Sequence, residues 1–166
     1  MEVKYFSYGS NLSLARMSAR VPSASVDFVA CVKGHSMKYR KIGRDGSAKC
    51  DLVESLGDGG EVWGVIYHID PAEKPGLDRA EGLGSGYEMK ELAVPGPDGT
   101  TVSAFTYYAT HFSEGLKPYP WYVEHVLRGA AEHGLPNDYI AAFLTTESML
   151  DPDQERHERE LSIYRR

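Results

Sequence analysis

Three short stretches hold the side chains and backbone best suited to reacting with a small molecule. YFSYGSNL, Tyr5 to Leu12, puts Gly9, Ser10 and Asn11 directly after an apolar strand, and Ser13 follows. A plain connection needs one such residue. A loop that offers backbone N–H groups to a ligand needs several, because side chains block close approach. LDRAEGLGSGY, Leu77 to Tyr87, sets Glu81 ahead of Gly82, Gly84 and Gly86. Surface glutamates are common, and spacing alone does not single this one out. The glycines beside it leave room for a substrate atom within hydrogen-bond reach of the carboxylate, as a general acid or base requires. PYPWYVEH, Pro118 to His125, places Tyr122 at a helix start, where an aromatic belongs to the core more often than to a site.

Other chemistries find little to work with. The six histidines include no HxxxH or HExxH pair, and His125 and His133 stand eight apart, two helical turns rather than one. No metal site is expected. Gly82-Leu83-Gly84-Ser85-Gly86 follows a helix rather than a strand and lacks full GxGxxG spacing, and no GxxxxGK[ST] occurs. No cofactor is expected. There is no GxSxG elbow, and neither Cys31 nor Cys50 has a charged helix-start setting. An enzyme built from this chain works without a covalent intermediate.

The elements that must position these residues read as follows. Lys4 to Tyr8 is a strand ending at Gly9, and Leu12 to Arg20 is a short helix capped by Ser10 or Asn11. Val26–Val32 and Ser36–Ile42 are β-rich and joined at Lys33-Gly34-His35, and Gly43 to Lys49 is a loop. Glu61–Ile69 leaves neither face polar and belongs at the centre of a sheet. Asp70-Pro71-Ala72-Glu73 resembles a helix start, and a short turn from Pro75 to Glu81 is closed by Gly82. Glu88–Val94 and Thr100–Ala109 form a hairpin around Asp98-Gly99. Two helices follow, Trp121–His133 and about Asn137–Thr146. Strands without regular βαβα alternation favour an α+β fold with a small, mostly antiparallel, barrel-like sheet flanked by helices. One domain over residues 1–150 is expected, with 151–166 a charged tail, either a solvated helix or disordered.

Composition excludes several partners. With 166 residues, 42% apolar and 25% charged, the chain can bury a real core. A net charge of −6 and a pI of about 5.5 leave no basic footprint for nucleic acid. The apolar runs are too short to span a bilayer, and MEVKYFSYG lacks the features of a signal peptide. Two cysteines 19 apart without CxxC spacing fit reduced thiols in the cytoplasm. Whether the chain forms a homodimer is left open.

Taken in order, YFSYGSNL, GEVWGVIYHI, LDRAEGLGSGY and PYPWYVEHVLRGAAEHGLPNDY resemble the γ-glutamylcyclotransferase family, in the branch with a YGSN loop. The resemblance covers about Met1 to Ser148. It implies a barrel-like sheet with flanking helices, and an enzyme that releases 5-oxoproline from γ-glutamyl compounds without a cofactor. It also implies that Glu81, in Asp78-Arg79-Ala80-Glu81-Gly82, is the general acid/base. Tyr8, Gly9, Ser10 and Asn11 would hold the γ-glutamyl moiety largely through backbone groups, with Tyr122 as the family's helix-start tyrosine. Asn11 would orient the loop and Leu12 wall the pocket.

In such a reaction the substrate's own α-amine attacks its γ-carbonyl, so the absence of a protein nucleophile is coherent. The substrate α-carboxylate needs a cation or backbone donors. Lys33, Lys38, Arg40, Lys41 and Arg44 are all near in sequence, and none is singled out. Two alternatives stand beside cyclotransfer on γ-glutamyl amino acids: removal of a γ-glutamyl protecting group from a biosynthetic intermediate, and a non-catalytic γ-glutamyl-binding module.

Overall fold

Val62 to Ile69 has no polar face to turn to water, so it must lie between two neighbours. In the computed structural model, which describes residues 3–57 and 59–165, it does. Strand β5 (Glu61–Ile69) is flanked by β1 (Val3–Ser7) and β2 (Ser25–Lys33), both antiparallel to it. Met1, Glu2 and Arg166, at the ends of the expected domain and tail, lie outside the described residues, as does Asp58.

The hairpin around Asp98-Gly99 forms as expected, with β6 (Tyr87–Pro95) antiparallel to β7 (Thr101–Ala109). It joins the sheet through a parallel pairing of β1 with β7, giving the order β2-β5-β1-β7-β6. The expected barrel-like closure is corrected here. The sheet is open: β2 and β6 approach each other, but no register of hydrogen bonds joins them among the described residues. A second, two-stranded sheet pairs β3 (His35–Ile42) with β4 (Ala48–Glu54). β4 begins inside the stretch read as a loop, because its polar, glycine-led start hides the alternation of buried Ala48, Cys50 and Leu52.

Most of the helices are short, and a side-chain cap opens two of them. After Gly9 the chain makes a 3-10 turn, Ser10–Leu12, and only then α1 (Leu14–Arg20). The cap is Ser13, whose hydroxyl accepts from Arg16 N–H at 3.3 Å, in place of the expected Ser10 or Asn11. Helix α2 (Lys74–Glu81) has Pro75 in its first turn and is closed by Gly82. Helix α3 (Pro120–Glu132) buries Tyr122, Val126 and Ala130. α4 (Asn137–Tyr139) passes at once into a wider π turn, Ile140–Leu144, rather than one regular helix to Thr146.

The charged tail contains α5 (Gln154–Leu161), capped by Asp153, whose carboxylate accepts from Arg156 N–H at 2.9 Å. It is docked rather than solvated on all sides. Glu160 accepts from Arg16 of α1 at 2.8 Å and faces His125 of α3 at 3.1 Å. Asp151, just before the helix, accepts from Trp121 Nε1 at 2.7 Å. No helix among the described residues is long and apolar enough to cross a membrane.

Candidate active site

Helix α2 ends at Glu81, and its last turn delivers that carboxylate against the loop after β1. Glu81 Oε1 accepts from Asn11 Nδ2 at 2.7 Å and from Arg20 Nη1 at 2.7 Å. Arg20 also donates to Asn11 Oδ1 at 3.3 Å, which fixes the amide with its nitrogen toward Glu81. The same Asn11 nitrogen reaches Tyr5 Oη at 3.2 Å. Glu81 Oε2 has no partner among the described residues. The side chain of Glu81 is 14% exposed, so one oxygen is held and the other is available to a visitor.

The helix that carries Glu81 is itself anchored. Asp78, one turn back, accepts from Tyr107 Oη of β7 at 2.6 Å and from Lys74 Nζ at 2.9 Å. This ties α2 to the sheet from which the site grows.

The loop is held from behind. Leu12 C=O accepts from Tyr67 Oη at 3.0 Å and from His133 Nε2 at 2.8 Å, and Leu12 N–H donates back to Gly9 O at 3.0 Å. By contrast, no protein group among the described residues accepts from the N–H of Gly9, Ser10 or Asn11, which all line one cavity with Glu81. These are the orphan donors that the start of any helical turn leaves. Gly9 is required by packing: a Cβ there would stand 2.9 Å from Cys50 Cβ of β4.

That cavity is otherwise walled by tyrosines, among them Tyr8 and Tyr122. Tyr122 Oη accepts from Cys50 N–H at 2.9 Å, and Tyr8 Oη donates to Tyr107 O at 2.7 Å. Burial pushes both phenols well above their ordinary range, so they remain neutral. Burial likewise pushes the Cys50 thiol up to about 12, which leaves it protonated at neutral pH and a poor nucleophile. The cavity opens into a wider basin, and Ser10, Glu81, Tyr87 and Tyr122 border both.

Of the residues expected at the site, Tyr8, Gly9, Ser10, Asn11, Glu81 and Tyr122 come together around the cavity. Leu12 does not. It is fully buried, so its side chain belongs to the core and its carbonyl to the loop's support. Among the five nearby cations, Lys33 pairs with exposed Glu61, and Arg40 is taken by Asp51 at 2.7 Å and Glu114 at 2.8 Å. Lys41 and Arg44 face the basin. Sequence reasoning missed Arg20, although Arg16 and Arg20 stand four apart on α1 and so share a helix face pointing at whatever follows the loop. It also missed Tyr5, Tyr87 and Tyr107, whose strands had to be assembled first.

Comparison with known proteins bears on the chain as a whole. A profile described as the AIG2-like family matches residues 61–143. A protein named gamma-glutamylcyclotransferase from Mus musculus is 33% identical over 141 residues, which is 81% of this chain and 73% of the mouse protein. The protein of that name from Bos taurus is 34% identical over 143 residues, with the same shares. A solved structure named gamma-glutamyl cyclotransferase superposes with a TM-score of 0.82 at 27% identity, over 98% of this chain and 99% of that one. The chain belongs to the AIG2-like family, on its γ-glutamylcyclotransferase branch.

Proposed function

We propose that this enzyme cyclises the γ-glutamyl part of a γ-glutamyl amine, releasing 5-oxoproline and the free amine, with Glu81 as the proton shuttle. The observation that carries the reading is the half-committed carboxylate. Oε1 is locked by Asn11 and Arg20 while Oε2 stays open, in the same cavity as three loop N–H groups without protein acceptors.

The chemistry balances without any further group. The substrate α-nitrogen attacks the γ-carbonyl carbon, a C–N bond closes a five-membered ring, and the original amide C–N bond breaks. One proton leaves the attacking nitrogen for Glu81 and passes from Glu81 to the departing amine. Holding the two ends of the substrate together supplies an effective molarity on the order of 10⁵ M or more. In this reading the loop N–H groups of Gly9, Ser10 and Asn11 donate to the developing oxyanion, each such donor being worth about 3 kcal/mol. Neutral tyrosine walls wrap the γ-glutamyl chain without presenting a competing charge. Two free cysteines accord with a reducing compartment such as the cytoplasm.

The test is Glu81→Gln, which keeps an oxygen for Asn11 and Arg20 but cannot carry a proton. Release of 5-oxoproline from γ-glutamyl dipeptides, followed by mass spectrometry, is expected to fall by about 10²- to 10⁴-fold while the melting temperature stays near that of the parent. Most of the activity surviving in that variant would remove Glu81 from the mechanism.

A further inference from the structure

The basin beside Glu81 is cationic in a chain whose net charge is −6. Arg16, Arg20, Lys41, Arg44 and Lys49 all line it, and Glu81 is the one carboxylate among the residues that do. Three of these cations are already committed. Arg16 donates to Glu160 at 2.8 Å and to Ser10 Oγ at 3.2 Å, Arg20 to Glu81 at 2.7 Å, and Lys49 to Asp45 at 2.8 Å. Lys41 and Arg44 have no carboxylate partner among the described residues.

Lys41 is the more telling of the two. It is 7% exposed, and its ammonium lies 4.6 Å from the centre of the Tyr87 ring and 3.2 Å from where a side chain at Gly86 would begin. A buried ammonium without a counter-charge is costly, and an aromatic face compensates only part of that cost. An anion arriving in the basin would supply the rest. β3 is built for this: an extra residue, Arg40, bulges between the pairs Tyr39–Cys50 and Lys41–Lys49, and bulges beside active sites re-aim side chains. Arg44 follows in the loop at the exposed edge, so one cation sits deep and one sits at the rim.

Resting on the cyclotransfer reading, we propose that the basin receives the amine portion of the substrate, and that this portion is an acidic amino acid whose two carboxylates are met by Lys41 and Arg44. The direction follows from Glu81, which borders both spaces. The γ-glutamyl end lies with the loop N–H groups, and the departing nitrogen lies at Glu81. Whatever that nitrogen carries must then extend toward the basin. A neutral amino acid brings one carboxylate for two unpartnered cations, and an acidic one brings two.

The experiment compares γ-glutamyl-glutamate with γ-glutamyl-glutamine, which differ by one charge at nearly constant shape, on the parent protein, Lys41→Met and Arg44→Gln. The expected result is at least about a tenfold higher kcat/KM for γ-glutamyl-glutamate, the size of one charge-assisted hydrogen bond. That preference shrinks toward unity in Arg44→Gln, chiefly through KM, and weakens with added salt. Because Lys41 is buried, Lys41→Met is read only with its melting curve, and Arg44→Gln at the rim is the second arm. Equal kcat/KM for the two dipeptides, or a preference untouched by both variants, overturns the proposal. If neither dipeptide yields 5-oxoproline, the cyclotransfer reading fails, and calorimetric titration of the same two compounds then decides the basin alone. Tighter binding of γ-glutamyl-glutamate supports it, and equal binding refutes it.

Discussion

At the scale of single residues, the central pair is Glu81 and Arg20. A carboxylate that shuttles a proton needs a fixed direction more than it needs a low or high charge. Arg20 and Asn11 provide that direction by holding the same oxygen. Arg20 touches Glu81 rather than the reacting atoms, so it acts as a positioning residue. Replacing it with Met frees the carboxylate to turn. A misplacement of about 1 Å costs on the order of 10²-fold, so Arg20→Met is expected to lose that much in kcat with a smaller change in KM. Arg20→Lys, which keeps the charge and one donor, should recover part of the loss. Steady-state kinetics on one γ-glutamyl dipeptide separates the two parameters. A rise in KM alone, or no recovery with Lys, would assign Arg20 to something other than aiming Glu81.

At the scale of elements, the N–H-bearing loop is a wedge between β1 and α3. Gly129 of α3 is the contact: a Cβ there would stand 2.3 Å from Leu12 C and Ser13 N. Two effects of Gly129→Ala oppose each other. Alanine favours a helix interior over glycine by about 1 kcal/mol, whereas overpacking costs about 1–3 kcal/mol and occasionally more. The atoms in the way are backbone, which cannot rotate aside, so the clash wins. Gly129→Ala is expected to lower the denaturation midpoint and to impair turnover together, since α3 and the loop must part. A variant more stable than the parent would contradict this packing.

On the scale of the whole molecule, the two ends of the chain close on one another. Tyr164 donates to Ser13 Oγ at 2.8 Å, and Arg16 beside the loop pairs with Glu160 near the C-terminus. Asp151 fastens this closure. Its carboxylate takes Arg156 at 2.7 Å as well as Trp121 Nε1 and Asp153 N–H, and the Arg156 hydrogen bond holds its pKa well below the usual carboxylate range. A carboxyl depressed in the folded state contributes stability that is fully present above its unfolded value, about 3.9, and lost as pH falls through the folded one. Asp151→Asn should therefore melt below the parent at pH 7, and the gap should close as pH drops below about 4. Melting curves across that range check the sign. A gap that is constant with pH would mean that the charge of Asp151 is not what fastens the tail.

How much of this was legible beforehand depended on the range over which each feature is encoded. The unbroken apolar run of β5, the Asp98-Gly99 hairpin, the Gly82 stop after Glu81 and the glycine-rich loop after β1 are local: each follows from side-chain size, φ freedom or missing polar faces within a few neighbours. They were enough to mark Glu81 and the loop. The open sheet, the parallel pairing of β1 with β7, the strand hidden in Ala48–Glu54 and the docking of α5 depend on contacts between distant segments, to which local patterning is nearly blind. The same holds for the partners of Glu81. Asn11, Arg20 and Glu81 are nine to seventy positions apart and meet only when β1, α1 and α2 converge, so the choice of which oxygen is held and which is open belongs to the folded chain.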